Sequence, residues 1–303
     1  MITSFEEIYE KVASLPKKRL VVAWGVDDHS IVASAEAIRR NLTDVTLVGN
    51  RQLIKKVCDA EHIDPSIFRV VDISDDVSAA GMAVSLINQG EGDMLMKGLC
   101  STDKYMRAIL NREKGLLPPK TVLSHVSLLF HPEYHKLILM SDIAVIPAPD
   151  LPQKIAMVGY LVDIARKLGV ERPKVAALAA TEQMLTGMPA CVDAAILAKM
   201  AERGQIRHCI LDGPLSLDIA VSREAAGIKK VSSEVAGDAD CLLFPNIESG
   251  NMFYKANAIL CKGTRLAAIV TGAKVPAVLS SRGDSTDTKL NSIALAALMA
   301  GPF

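Results

Sequence analysis

Leu20-Val21-Val22-Ala23-Trp24 is an unbroken apolar run, and Asp44-Val45-Thr46-Leu47-Val48, closed by Gly49, is a second, with a helical stretch over 30–40 between them. Strands buried on both faces lose the in-out alternation of a half-exposed strand and read as continuous aliphatic segments. Strand, helix and strand in this order predict a βαβ crossover and a parallel pair. The unit repeats. A helix over 6–13 precedes it, and helix 52–60, strand 68–72, helix 77–89, strand 93–98 and helix 102–111 follow.

After Gly115-Leu116-Leu117-Pro118-Pro119 the texture changes. Stretches 121–130 and 136–146 read as neighbouring strands separated by the His131-Pro132 turn, and strands with no helix between them predict antiparallel pairing. A domain boundary is expected near Thr121. Alternation resumes with helix 151–168, strand 175–179, helix 191–202, strand 209–211, helix 217–227, strand 241–244 and helix 251–260. Strands 267–270 and 277–279 and helix 288–299 close the chain. The expected class is α/β with largely parallel sheets. A chain of 303 residues exceeds one ordinary core, so two domains are expected.

Composition narrows the function classes. Half of the residues are apolar but only 4% are aromatic, the balance of aliphatic strands covered by helices. The 34 basic and 34 acidic residues cancel, so no global field attracts nucleic acid or a membrane, and an anionic ligand must be held by local Arg and Lys. Cysteines at 58, 100, 191, 209, 241 and 261 form no CxxC pair. They read as reduced structural thiols in a reducing compartment, and cysteine-bound metal is disfavoured. Residues 1–18 carry Glu6, Glu7 and Glu10 without a signal-type apolar core. No segment reaches the roughly 18 uninterrupted apolar residues of a membrane span, and the cytoplasm is the expected location.

Four strand-to-loop junctions collect polar and basic residues, and strand ends are where open α/β sheets hold ligands. At the first, Lys97-Gly98-Leu99-Cys100-Ser101-Thr102 offers an ammonium, a glycine and a helix start at Thr102 to an anion; simple capping explains the same letters. Arg107 follows on that helix, where a solvated surface role competes with anion binding. At the second, Asp212-Gly213-Pro214 reads as a tight turn leading to Asp218 in a helix's first turn. At the third, Gly250 and Asn251 are placed at a helix start, with Lys255 one turn further on, an arrangement suited to phosphate. The fourth is Ser280-Ser281-Arg282-Gly283-Asp284-Ser285, where Arg282 can grip phosphate or an acyl oxygen with two parallel hydrogen bonds and Ser281 can donate beside it. Asp284, Asp287 and Lys289 lie nearby. His125, beside Ser124 in an apolar strand, suits a core position as well as a ligand-binding one.

These residues together resemble the phosphate acetyl/butyryltransferase family. The resemblance is carried over nearly the whole chain by Met96-Lys97-Gly98-Leu99, Asn111-Arg112-Glu113-Lys114-Gly115-Leu116, Ser124-His125-Val126, Arg203-Gly204-Gln205-Ile206, Asp212-Gly213-Pro214-Leu215, Pro245-Asn246-Ile247-Glu248, Gly250-Asn251 with Tyr254-Lys255, and Ser281-Arg282 with Asn291-Ser292-Ile293-Ala294. It implies acyl transfer between coenzyme A and inorganic phosphate, as in butanoyl-CoA + phosphate = butanoyl phosphate + CoA, with acetyl transfer as the alternative. Coenzyme A is then a substrate, and no tightly bound cofactor or metal is expected. The resemblance further implies two α/β/α domains, 1–122 plus 268–303 and an inserted 123–267, the active site in the cleft between them, and a homodimer or larger homo-oligomer.

Residue by residue, Ser281 and Arg282 match the family's pair at the reacting acyl and phosphoryl groups, Asn291 the asparagine further along that helix, and Arg107 the arginine associated with coenzyme A phosphates. Lys97, Gly98, Thr102, His125, Asn251, Lys255 and Ser285 complete the expected substrate-binding set. One departure matters. The acetyl-branch aspartate that serves as thiol base falls on Thr288, which leaves Asp284 as the preferred base and Asp287 and His125 as alternatives. A metal-dependent decarboxylating dehydrogenase of the isocitrate type needs an aspartate cluster for which no block matches. A non-catalytic acyl-CoA-binding paralogue is disfavoured by the presence of Ser281-Arg282.

Overall fold

Leu20, Val21, Val22 and Ala23 are all fully buried, as an aliphatic run without alternation requires of a strand covered on both faces. They belong to a computed structural model that describes residues 1–279 and 283–301. In chain order its elements are α1 (Phe5–Ala13), β1 (Lys18–Ala23), α2 (Asp28–Arg39), β2 (Thr43–Gly49), α3 (Arg51–Ala60), β3 (Arg69–Asp72), α4 (Asp76–Asn88), β4 (Met94–Lys97) and α5 (Thr102–Ile109). Next come β5 (Ser124–Phe130), β6 (Ile138–Ser141), α6 (Leu151–Lys167), β7 (Lys174–Leu178), α7 (Pro189–Glu202), β8 (Ile210–Leu215), α8 (Leu217–Val221) and α9 (Arg223–Ile228). β9 (Cys241–Leu243), α10 (Ile247–Leu260), β10 (Arg265–Thr271), β11 (Ala277–Val278) and α11 (Thr286–Met299) complete the chain.

The chain divides into two units, a terminal one of Phe5–Leu123 with Leu266–Phe303 and a central one of Met1–Ser4 with Ser124–Arg265. In the terminal unit the strand order is β3-β2-β1-β4-β11-β10. Every neighbouring pair there is parallel except β10 with β11. Helices α1, α2, α3 and α11 pack as one set, and α4 packs with α5. α11 is buried from Lys289 to Leu298, the expected state of a helix apolar nearly all round. In the central unit the order is β5-β6-β9-β7-β8, with β5 antiparallel to β6 and the other pairs parallel. The β5–β6 pair is the antiparallel interruption that the change of texture after Pro119 anticipates. Among the described residues, no helix is long and apolar enough to cross a membrane.

Four departures from the sequence reading bear on how the strand ends and helix starts are built. Asp212-Gly213-Pro214 is not a turn but the second half of β8, with a cis Gly213–Pro214 peptide. β8 is last in the strand order, and proline is tolerated on an edge because its missing N–H interrupts no inner ladder. The expected helix 217–227 is two helices, because Ser222 accepts the Ala225 N–H and caps a new start. Strand β6 stops at Ser141, since Asp142 folds back to accept the N–H groups of Ala144 and Val145. Helix α10 begins at Ile247, capped by Asn246, rather than at Asn251.

Candidate functional site

In the terminal unit the parallel register carries β1, β4 and β11 to a common edge, with Ala23 opposite Lys97 and Val278 opposite Met96. Gly98 is required there. Its N–H donates to Ala23 O, the Leu99 N–H donates to Trp24 O, and a Cβ on Gly98 would stand 2.3 Å from the Trp24 carbonyl oxygen. Trp24 itself takes a positive φ of 56° as the chain leaves β1. Lys97 is buried at 2% exposure, and its Nζ donates to the carbonyls of Gly98 and Cys100, 3.1 and 3.2 Å away. Its ammonium therefore shapes the loop that the sequence reading offers to an anion. Beyond the loop Ser101 caps α5 through the Lys104 N–H, Thr102 is exposed, and exposed Arg107 pairs with Asp103 at 3.0 Å.

Two more helices start at this edge. Asp27 caps α2 by accepting the Ser30 N–H at 2.9 Å, and Ser285 caps α11 by accepting the Thr288 N–H at 3.2 Å. His29 Nδ1 lies 3.1 Å from Thr286 Oγ1, joining the two starts. Lys289, in the first turns of α11, is 3% exposed. Burial pushes its pKa down, while the carboxylates of Asp27, Asp284 and Asp28 act in the opposite sense. Asn291 is interior: Oδ1 accepts from the Tyr9 hydroxyl and Nδ2 donates to Leu266 O at 3.1 Å.

In the central unit a buried carboxylate organises the edge where β6 ends. Asp142, 1% exposed, accepts at Oδ2 from Ser124 Oγ and the His125 N–H, both at 2.9 Å, and at Oδ1 from the N–H groups of Ala144 and Val145, both at 2.8 Å. Ser124 Oγ lies 3.0 Å from Ser141 Oγ. His125 is a buried residue of β5. The first turn of α10 packs on the same backbone, since a Cβ on Gly250 would stand 2.4 Å from Asp142 O. Asn251 Nδ2 donates to Ile143 O at 2.9 Å, and Lys255 is exposed one turn on. Because α10 starts at Ile247, Gly250 and Asn251 hold the helix against this loop from within its first turns.

Residues 77–297 match the family model described as phosphate acetyl/butaryl transferase. The chain belongs to that family. It is 42% identical over 301 residues to a phosphate butyryltransferase of Clostridium acetobutylicum, with 99% of each chain covered. A phosphate acetyltransferase of Thermotoga maritima is 40% identical over 283 residues, covering 93% of this chain and 95% of the relative. The crystal structure of a branched-chain phosphotransacylase from Enterococcus faecalis superposes with a TM-score of 0.81 at 29% identity, covering 93% of this chain and 99% of that one.

For a member of this family, the terminal edge brings Lys97, Gly98, Thr102, Asp284 and Ser285 to the loops after β4 and β11 and the helix starts that follow them. Ser281 and Arg282 lie outside the described residues. Sequence reasoning missed Asp27 and Asp142. Asp27 had a legible signal, an aspartate directly before a helical period. Asp142 had none, because two of its four donors come from a different strand.

Proposed function

We propose that the chain transfers a short-chain acyl group, butanoyl by preference, between coenzyme A and inorganic phosphate: butanoyl-CoA + phosphate = butanoyl phosphate + CoA. Family membership makes it a phosphate acyltransferase, and the observation that carries the butanoyl reading is the end-to-end likeness to the clostridial phosphate butyryltransferase. Acetyl transfer is the second reading, favoured by the Thermotoga relative at nearly the same identity. In this proposal coenzyme A and phosphate are substrates, no cofactor is tightly held, and the enzyme acts in the cytoplasm as a homodimer or larger homo-oligomer.

The reaction passes through a tetrahedral oxyanion, formed by thiolate attack on the acyl phosphate or phosphate attack on the thioester. A thiol of pKa about 8.5 costs about 2 kcal/mol to ionise at neutral pH, whereas losing one oxyanion donor costs about 2.7–4 kcal/mol. Arg282 and Ser281 therefore rank above any base, and the shared binding of both substrates supplies much of the rest. Asp284 is the proposed thiol base. Its rivals fare differently: Asp287 is exposed in the first turn of α11, and His125 is enclosed in β5.

The deciding experiment follows CoA release from acetyl-, propanoyl-, butanoyl- and 2-methylpropanoyl-CoA with and without phosphate. Phosphate-dependent release fastest with butanoyl-CoA supports the proposal; fastest release with acetyl-CoA moves the assignment to the acetyl branch. Arg282→Ala is expected to lose about 100- to 1,000-fold in kcat, and an unchanged pH–rate profile in Asp284→Asn removes Asp284 as the base.

A further inference from the structure

His29 and Thr286 are 257 residues apart in the chain, yet His29 Nδ1 stands 3.1 Å from Thr286 Oγ1, within ordinary hydrogen-bond length. The contact joins the second residue of α2 to the first of α11. These helices follow β1 and β11, the strands on either side of β4, whose loop carries Lys97 and Gly98. The pair therefore brackets the edge on which the terminal unit gathers its candidate substrate-binding residues.

Local structure requires neither side chain. Asp27 caps α2, and Ser285 caps α11 by taking the Thr288 N–H, so neither the imidazole nor the Thr286 hydroxyl serves a helix end. The bodies of the two helices are held by packing, with α11 buried from Lys289 onward. His29 is exposed, and water competes for an exposed pair, which leaves the bond little weight in folding. What it fixes is a first turn. Thr286 lies two residues after Asp284 and four after Arg282, and a hydroxyl tied to α2 limits how far the backbone leading into α11 can swing. The anchor is itself held, since the His29 N–H donates to Asp28 Oδ1 at 2.8 Å.

We propose that His29 is a positioning residue for acyl transfer: through Nδ1 it holds Thr286, and with it the start of α11, so that Asp284 and the Ser281–Arg282 pair are presented to the substrates in one orientation. The proposal rests on the phosphate acyltransferase reading. Misplacing reacting groups by about 1 Å can cost about 100-fold in rate, so a bond of little weight in stability can carry much of the turnover.

The test measures acyl phosphate formation from butanoyl-CoA and phosphate by the parent, His29→Ala, Thr286→Val and the double variant. Parent turnover is read first; its absence overturns the acyltransferase reading and this proposal with it. With an active parent, each single variant is expected to lose about 10-fold in kcat, with KM for both substrates within about threefold. The double variant is expected to lose no more than the worse single one, because residues that act through one contact are not additive. His29→Asn sets an amide where Nδ1 stands and is expected to recover most of the rate, whereas His29→Gln, whose amide reaches the Nε2 position, is not. Thermal midpoints accompany every variant and are expected to stay close to the parent's. Unchanged kcat in His29→Ala overturns the proposal, as do losses that multiply in the double variant. A rise in KM with kcat kept, or rescue by Gln in place of Asn, marks a direct substrate contact at Nε2 and overturns it too, and a midpoint that falls in step with activity marks a purely structural tie. Thr286→Ser keeps the hydroxyl and is expected to match the parent; if Thr286→Val does not fold, the His29 series with Asn and Gln still decides.

Discussion

Tyr9 donates its hydroxyl to Oδ1 of Asn291 although 282 residues separate them in the chain. Asn291 passes the connection on, its Nδ2 donating to Leu266 O, so one amide ties the opening helix, the closing helix and the start of β10 together. A polar group in a helix buried all round must be satisfied locally, and removing one partner strands the other. Asn291→Leu leaves the Tyr9 hydroxyl and the Leu266 carbonyl without this partner and is expected to cost about 1–3 kcal/mol. Tyr9→Phe leaves the Asn291 side chain in place with its bond to Leu266 O and is expected to cost less. Urea unfolding of the two variants checks the order, and equal stability of Asn291→Leu and parent refutes it.

Asp142 carries a heavier share in the central unit. Four donors converge on its two oxygens, and hydrogen bonds to a charged group are worth about 1.5–3 kcal/mol each. Asp142→Ala is expected to cost at least about 3 kcal/mol, with Asp142→Asn intermediate because the amide keeps one acceptor oxygen and turns the other position into a donor. Thermal unfolding of both variants tests this; a midpoint for Asp142→Ala within a degree or two of the parent would show that the loop holds itself.

What could be read in advance follows from how local the signal is. The aliphatic runs at Leu20–Ala23 and the matching helical periods are local, and they disclosed the βα alternation and the antiparallel break after Pro119. Gly213-Pro214 misled because the pair is a common turn, and only the position of β8 at the end of the strand order makes it tolerable in a strand. Gly250-Asn251 misled for a related reason. The letters fit a helix start, but Asn246 caps first, and the missing Cβ at Gly250 serves contact with Asp142 O instead. Lys289 was visible as a cation near Asp284, but its burial depends on α1, α2 and the strands beneath, which no local pattern records.

Acid sensitivity is expected to centre on Asp238. Its carboxylate lies 2.6 Å from Lys174 Nζ, 2.7 Å from His135 Nε2 and 3.1 Å from Lys136 Nζ, at the opening ends of β6, β7 and β9. Burial pushes its pKa up, but hydrogen bonds from Lys174, His135 and Lys136 outweigh it and hold the carboxyl well below the usual range. A carboxyl depressed in the folded state contributes stability that is fully present above its unfolded pKa, about 3.9, and is lost as pH falls from there towards the folded value. The parent should therefore weaken progressively in that window, while Asp238→Asn, already weaker at pH 7, should show a flatter decline. Denaturant midpoints at pH 7, 4 and 3 measure both, and parallel declines would move the acid response elsewhere.

Arg107 offers the cleanest separation of binding from folding. Its side chain is exposed and pairs with Asp103 in an i,i+4 bridge, a class worth only about 0–1 kcal/mol. Arg107→Ala is thus expected to leave the thermal midpoint essentially unchanged. If the guanidinium meets a coenzyme A phosphate, the loss falls equally on bound substrate and transition state, which raises KM for CoA and leaves kcat alone. An exposed charge-assisted contact of about 1 kcal/mol corresponds to roughly a fivefold rise. Added salt screens exposed charges, so the difference between variant and parent should shrink as NaCl increases. Dephospho-CoA adds a further arm: if the 3′-phosphate is the contact, Arg107→Ala should not change KM for that analogue. A fall in kcat, or an unaltered KM for CoA, would take Arg107 out of coenzyme A binding.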